Sequence, residues 1–196
     1  VVTTLDYNLQ KSAEKAVALG AKNLDQDLGY RGPLYSIASD KFSSENQKIK
    51  MEILKKESQI LFLEANGTIT YSQVGEDNKD HSFADYLEID KDYQAIVTNV
   101  RDDLKVAFIS IGGEQGFIDA SGFSWAKPHR NIKDRLEYNQ NNISLPSKVF
   151  NKGDVIWVTV KEKNVSLKSQ NNLTEKEKVY FSANHFIKAS LTQKPL

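Results

Sequence analysis

YQAIVTNVRDDLKVAFISIGGEQGFI, residues 93–118, is the stretch that decides the fold. Tyr93 to Val100 and Leu104 to Ile111 are rich in β-branched and aromatic residues, which suit a pleated, half-buried surface. Arg101-Asp102-Asp103 joins them as a polar turn, and Gly112-Gly113 turns the chain again into a third strand, Gln115 to Ile118. These are three short strands in succession with tight turns between them.

Further along, Ser121 to Ala126 leads into a long polar stretch ending at Lys152, and Gly153-Asp154 opens a fourth strand, Val155 to Lys161. Residues 161–178 are dense in charge, Asn and Gln and read as a solvated hairpin arm, with Val179 to Leu191 as the last strand. Three strands, a long connection and two more is the order of a small Greek-key barrel of the OB type. Towards the N-terminus the period changes. Leu9, Ala13, Ala16, Val17, Gly20 and Leu24 recur at helical spacing, Asp6 is placed to cap, and Gly29 to Pro33 breaks the helix after about Asp27. A second helix is predicted from about Ser44 to Glu64, carrying Ile49, Ile53, Leu54, Ile60, Leu61 and Leu63 and stopped by Asn66-Gly67. Residues 73–92 are polar and acidic and predict no firm element. The expected fold is therefore α+β, a five-stranded OB-like β-barrel with N-terminal helical segments.

Lys plus Arg and Asp plus Glu are equal at 26 each, so the formal charge is zero, which counts against a nucleic-acid binder relying on phosphate neutralisation. The absence of cysteine removes disulfides, thiol catalysis and Cys-based zinc sites, and suits cytoplasm and periplasm equally. No apolar run approaches the roughly 20 residues of a membrane helix. The chain begins at Val1 without a signal-peptide pattern and reads as part of something longer, with any export signal or anchor outside it.

Several stretches together resemble the class A penicillin-binding proteins, 1A type. Val2 to Asp6 with Leu9-Gln10 and Ala13 to Ala16 resembles the strand and helix that begin their transpeptidase region, and Gly29-Tyr30-Arg31-Gly32-Pro33 resembles the segment after that helix. The strands from Tyr93, then Gly116-Phe117-Ile118, Trp125-Ala126 and Lys152 to Ile156, are similar to that family's OB-like insertion. Ser190 to Pro195 resembles the return to the transpeptidase fold. The helix at 44–64 departs from the family pattern. The resemblance implies four segments: 1–33 from the start of the transpeptidase region, 34–92 a helical or irregular connection, 93–191 the OB-like domain, and 192–196 the return. It implies a non-catalytic module within a bifunctional synthase that polymerises glycan strands and crosslinks their peptides. Its partners would be its own glycosyltransferase and transpeptidase domains. Its place would be the periplasm, in a protein anchored to the inner membrane outside this fragment. In some members such insertions dock an outer-membrane lipoprotein activator, a partner the resemblance alone does not assign to this sequence.

The residues offer little chemistry. A serine transpeptidase needs S-x-x-K, and Ser12 to Lys15 and Ser124 to Lys127 both match; Ser182-Ala183-Asn184 matches a second motif, S-x-N. No K-T-G or K-S-G occurs, so both matches are expected to be chance. His81, His129 and His185 stand far apart without metal-ligand spacing. Asp102-Asp103 reads as a turn rather than a carboxylate pair, and Gly112 to Gly116 as a turn rather than a phosphate loop, since no helix comes after it. No catalytic residue, metal ligand or cofactor is expected.

The aromatic residues are the candidates for contact with a partner. Trp157 alternates within a strand and is expected to fill the barrel core, whereas Trp125 either covers the barrel end or stands exposed as a docking anchor. Val97 to Ile118 also resembles an RNA-binding OB variant repeated in a ribosomal protein, in which strand-borne aromatics such as Phe108 and Phe117 would stack on bases. Residues 93–160, however, hold eight Lys/Arg against seven Asp/Glu, a net of only plus one, and both rings are expected to point into the barrel. No nucleic acid is expected. The function so read is positioning the catalytic domains and docking a cell-envelope regulator; the alternatives are an RNA-binding module and a partnerless spacer.

Overall fold

The structure is a computed structural model that describes residues 6–57, 61–63, 69–71, 83–128, 143–166 and 184–194. The strands of the barrel are β4 (Asp92–Arg101), β5 (Val106–Ile111), β6 (Glu114–Asp119), β7 (Asp154–Val165) and β8 (Phe186–Thr192). β4, β5 and β6 form a meander, β8 lies parallel to β6, and β7 pairs antiparallel with both β8 and β4. The five strands therefore close on themselves, as the alternation in 93–118 and 155–191 predicts for an OB-like barrel.

Local chemistry explains the turns. Ile111 pairs with Glu114, so Gly112 and Gly113 form a two-residue loop, with φ of 58° and 103°, the left-handed backbone that such a hairpin requires. The β4–β5 turn is fastened from outside, because Asp102 accepts hydrogen bonds from Ser147 N (3.0 Å) and Ser147 Oγ (2.6 Å). A register shift between Val97 and Asn99 bends β4, as closing so small a barrel demands.

The pairing register identifies the interior residues. Val97 faces Ile109, Ala107 faces Ile118, Ala95 faces Ile156, Val158 faces Leu191 and Val160 faces Ala189, and all ten are buried. Phe123 of α3 (Ala120–Phe123) and Phe150 belong to the same core, their rings edge to face at 5.7 Å.

Three further elements are knitted onto this barrel. β1 (Tyr35–Ser36) pairs with the start of β7. α2 (Phe42–Glu57) lies against β4 and β5, burying Ile49, Ile53 and Leu54, and its Asn46 accepts a hydrogen bond from Ser110 Oγ (3.0 Å). A short 3-10 turn, Phe83–Tyr86, closes beneath α2, with Phe83 and Leu87 buried in the core. It lies in the polar 73–92 stretch, whose scattered apolar residues are too few to show a period.

The second helix is shorter than its predicted span of Ser44 to Glu64. It ends at Glu57, and Leu61–Leu63 is instead β2, paired antiparallel with β3 (Ile69–Tyr71). Leu61-Phe62-Leu63 is an apolar run too short for its periodicity to separate helix from strand. Asn66-Gly67, read as a helix stop, lies outside the described residues. Of the predicted charged arm, residues 161–165 extend β7; residues 167–183, with the start of the expected last strand, lie outside the described residues. So do residues 1–5, which hold most of the strand expected ahead of the first helix.

α1 (Tyr7–Asp27) is capped as expected, Asp6 accepting from Asn8 N (2.9 Å) and Leu9 N (3.2 Å), and Gly29 (φ 93°) comes just after its end. Its orientation is the reverse of an ordinary surface helix. Leu9, Val17 and Leu24 are 70%, 71% and 62% exposed, while the residues turned to the barrel are polar, chiefly Lys22 and Asp25. At about 100° per residue the apolar stripe and the barrel-facing residues fall on opposite sides of the helix.

Candidate functional site

The chain enters and leaves the barrel at one corner. Tyr30 N donates to Lys127 O (2.6 Å), and the Tyr30 ring meets Trp125 edge-on at 6.1 Å. Trp125, half-buried, packs against the core from just beyond α3. Burial pushes the Tyr30 phenol well above its ordinary range, with the negative charge of Asp154 adding to the effect, so the hydroxyl stays neutral. Beside it, Gln193 and Lys194 come directly after β8 and contact the segment after α1.

Trp157 is not in the interior. It pairs with Gln94 and Thr192 on the outer face of β7, between the core residues Ile156 and Val158, and Lys194 Nζ stands 3.7 Å from its ring centre. Alternation separates two faces without saying which one closes inward. Replacing Lys194 with Ala is expected to cost under about 1 kcal/mol, the range of a surface cation–π contact. In a Trp125→Phe background the same change should shift Trp157 emission to the red as water reaches the ring. An unchanged spectrum would remove Lys194 from that face.

Phe108 and Phe117 likewise do not point into the barrel. They are cross-strand partners on the outer face and form a separate cluster with Phe186, Leu104 and Val106. The rings of Phe117 and Phe108 each lie 6.5 Å from that of Phe186. Phe117 and Phe186 are 4% and 2% exposed, so neither ring is open for stacking on a base. The cations nearby are paired, Arg101 with Asp103 (2.6 Å) and Lys188 with Asp119 (3.0 Å). Next to the cluster a cleft of about 420 Å³ is lined by Thr98, Asn99, Arg101, Phe108, Gln115 and Phe186.

Asp119 also caps α3, accepting from Gly122 N (3.2 Å). Burial pushes its carboxyl up. The hydrogen bonds from Ser121 and Lys188, with the Lys188 charge, outweigh burial and hold it below the ordinary 3.8. Because the folded value is the lower one, this stabilisation is complete above 3.8 and is lost as pH falls through the folded value. The stability difference between the native chain and Asp119→Asn, from urea unfolding at a series of pH values, should be constant from neutrality to about pH 5 and shrink below that. A difference that grew on acidification would contradict the assignment.

The sequence motifs for catalysis are not assembled. Ser12 lies on α1 and donates to Asn8 O (2.8 Å), whereas Ser124 sits on the barrel just after α3. Asp102 and Asp103 are engaged with Ser147 and Arg101. His185 is exposed, while His81, His129, Ser182 and Ala183 lie outside the described residues. Among the described residues no group of three His, Asp or Glu is placed to hold a metal, and no helix is long and apolar enough to cross a membrane.

No match to a curated protein was found. A family model described as penicillin-binding protein OB-like domain matches residues 30–195, from the Tyr30 corner through the whole barrel to the segment beyond β8. The closed five-stranded barrel is the architecture that this description names, and an OB-like domain of a penicillin-binding protein is a non-catalytic module. This chain belongs to the penicillin-binding protein OB-like domain family.

Proposed function

We propose that the chain is a positioning and docking module of a bifunctional peptidoglycan synthase in the periplasm. It sets the glycosyltransferase and transpeptidase domains relative to each other and offers a surface to a cell-envelope regulator. The observation that carries this reading is the corner where residues 29–31 and 193–194 bond to one another, so the chain arrives and departs side by side. That is the geometry of a module inserted into a host fold. α1 supports it further. It precedes the matched span, and its apolar stripe faces away from the barrel, as a helix belonging to a neighbouring domain would. The cleft beside Phe108 is the surface we assign to the regulator, with an outer-membrane lipoprotein activator the first partner to test.

The test uses the full-length parent protein with a photo-crosslinking residue at position 115, alongside titration of the purified chain with fluorescent single-stranded RNA at physiological salt. A crosslink to one envelope protein that is lost in Phe108→Ala is expected, with no RNA binding. Absence of any crosslink would leave the chain a spacer, and salt-sensitive RNA binding would replace docking with nucleic-acid recognition.

A further inference from the structure

We infer that Asp25, Arg31 and Gln193 form a clasp that fixes the direction in which α1 leaves the barrel. The Arg31 guanidinium forks onto the Asp25 carboxylate, at 2.8 Å and 3.2 Å, and also donates to the Lys194 carbonyl. Gln193 uses both ends of its amide. Its Oε1 accepts from Arg31 N (3.1 Å), and its Nε2 donates to Asp25 O (3.1 Å) and Gly29 O (3.0 Å). The two halves of this node are separated by more than 160 residues of chain, and Asp25 and Gln193 are each only 9% exposed.

The clasp matters because little else holds the helix. Among the described residues Asp25 is the one residue of α1 that is buried, and beyond the node Lys22 Nζ reaches Thr159 Oγ1 at 3.4 Å. A helix of 21 residues is about 30 Å long, so a rotation of roughly 10° at its clasped end moves the other end by about 5 Å. Arg31 and Gln193 are thus positioning residues. They set the attitude of an exposed apolar stripe without belonging to it. Buried polar partners suit this task, because a misaligned node leaves carbonyls and a carboxylate without donors, whereas an apolar contact tolerates sliding. The inference rests on bonds within this chain and stands independently of whether the barrel docks a regulator.

The chain has no cysteine, so Lys15→Cys on α1 and Lys152→Cys before β7 introduce two clean labelling sites, both exposed. Spin labels there, in the whole 196-residue chain, report the helix–barrel distance distribution by pulsed electron resonance. One narrow distribution is expected. Gln193→Glu, which loses both amide donors, and Arg31→Lys, which keeps the charge but loses the fork, should each broaden it at least twofold. The barrel's near-ultraviolet dichroism and its melting should stay nearly native, separating loss of direction from loss of fold. Arg31→Lys retains the charge opposite Asp25 and serves if Gln193→Glu fails to fold. An unchanged distribution in a folded variant, or a broad one in the unsubstituted chain, would overturn the clasp.

Discussion

Gly153→Ala is expected to destabilise the domain by roughly 3–5 kcal/mol, combining the cost of a left-handed residue with that of overpacking. Gly153 has φ of 96°, and a Cβ there would lie 2.3 Å from the Ile37 carbonyl oxygen, a backbone atom unable to step aside. Its own backbone is engaged in two directions, Gly153 N donating to Val97 O (2.8 Å) and Ile37 N to Gly153 O (2.9 Å). Relief of the clash would therefore pull β1 away from β7 and disturb β4 as well. Gly20→Ala in α1 is the internal comparison. Its added methyl meets nothing within 4 Å, and mid-helix alanine should stabilise by up to about 1 kcal/mol. Urea unfolding of both variants reads the difference. A loss below about 1 kcal/mol for Gly153→Ala would mean that the β1 attachment is dispensable to the fold.

The second large effect is expected at Phe123. It is fully buried and meets Phe150 edge to face, so truncation to alanine leaves a ring-sized cavity in a barrel that has little room to collapse. The cost should be about 3–5 kcal/mol, lowering Tm by roughly 6–20 °C for a domain of this size. Phe108→Ala should cost distinctly less, about 1–2 kcal/mol, because Phe108 is half-buried in the outer cluster and leaves a dent open to solvent. Thermal melts of the two variants test the division into interior and outer clusters. Equal losses would show that the two clusters act as one core.

These expectations separate local features from distant ones. The barrel strands were legible because each carries its own apolar content and each turn its own chemistry. Gly112-Gly113 needs no distant partner to demand a two-residue hairpin, and Asp6 caps α1 through amides two and three residues away. The cleft beside Phe108 and the clasp were not legible. Asp25, Arg31 and Gln193 are ordinary polar residues in the sequence, and the contact between Gln193 and Asp25 spans 168 positions. The β2–β3 hairpin was missed where a three-residue apolar run satisfied both periods.

From the sequence alone came the number of barrel strands, the turns joining β4, β5 and β6, the N-terminal helix and the membership of a non-catalytic family module. Tertiary structure alone decided which side of each strand became the interior. Alternation sorts side chains into two faces, but β5 and the first half of β7 are apolar on both, so Trp157 and Phe108, with Phe117 as cross-strand partner of Phe108, fit either by pattern. Closure resolves the choice, because only one face of a curled sheet can turn inward and the register carries every alternate residue with it. Tyr93, Ala95 and Val97 of β4 turn inward with Ile156 and Val158 of β7, while Trp157, Phe108 and Phe117 are left on the outer face, where α2, Lys194 and the Phe186 cluster cover parts of the surface.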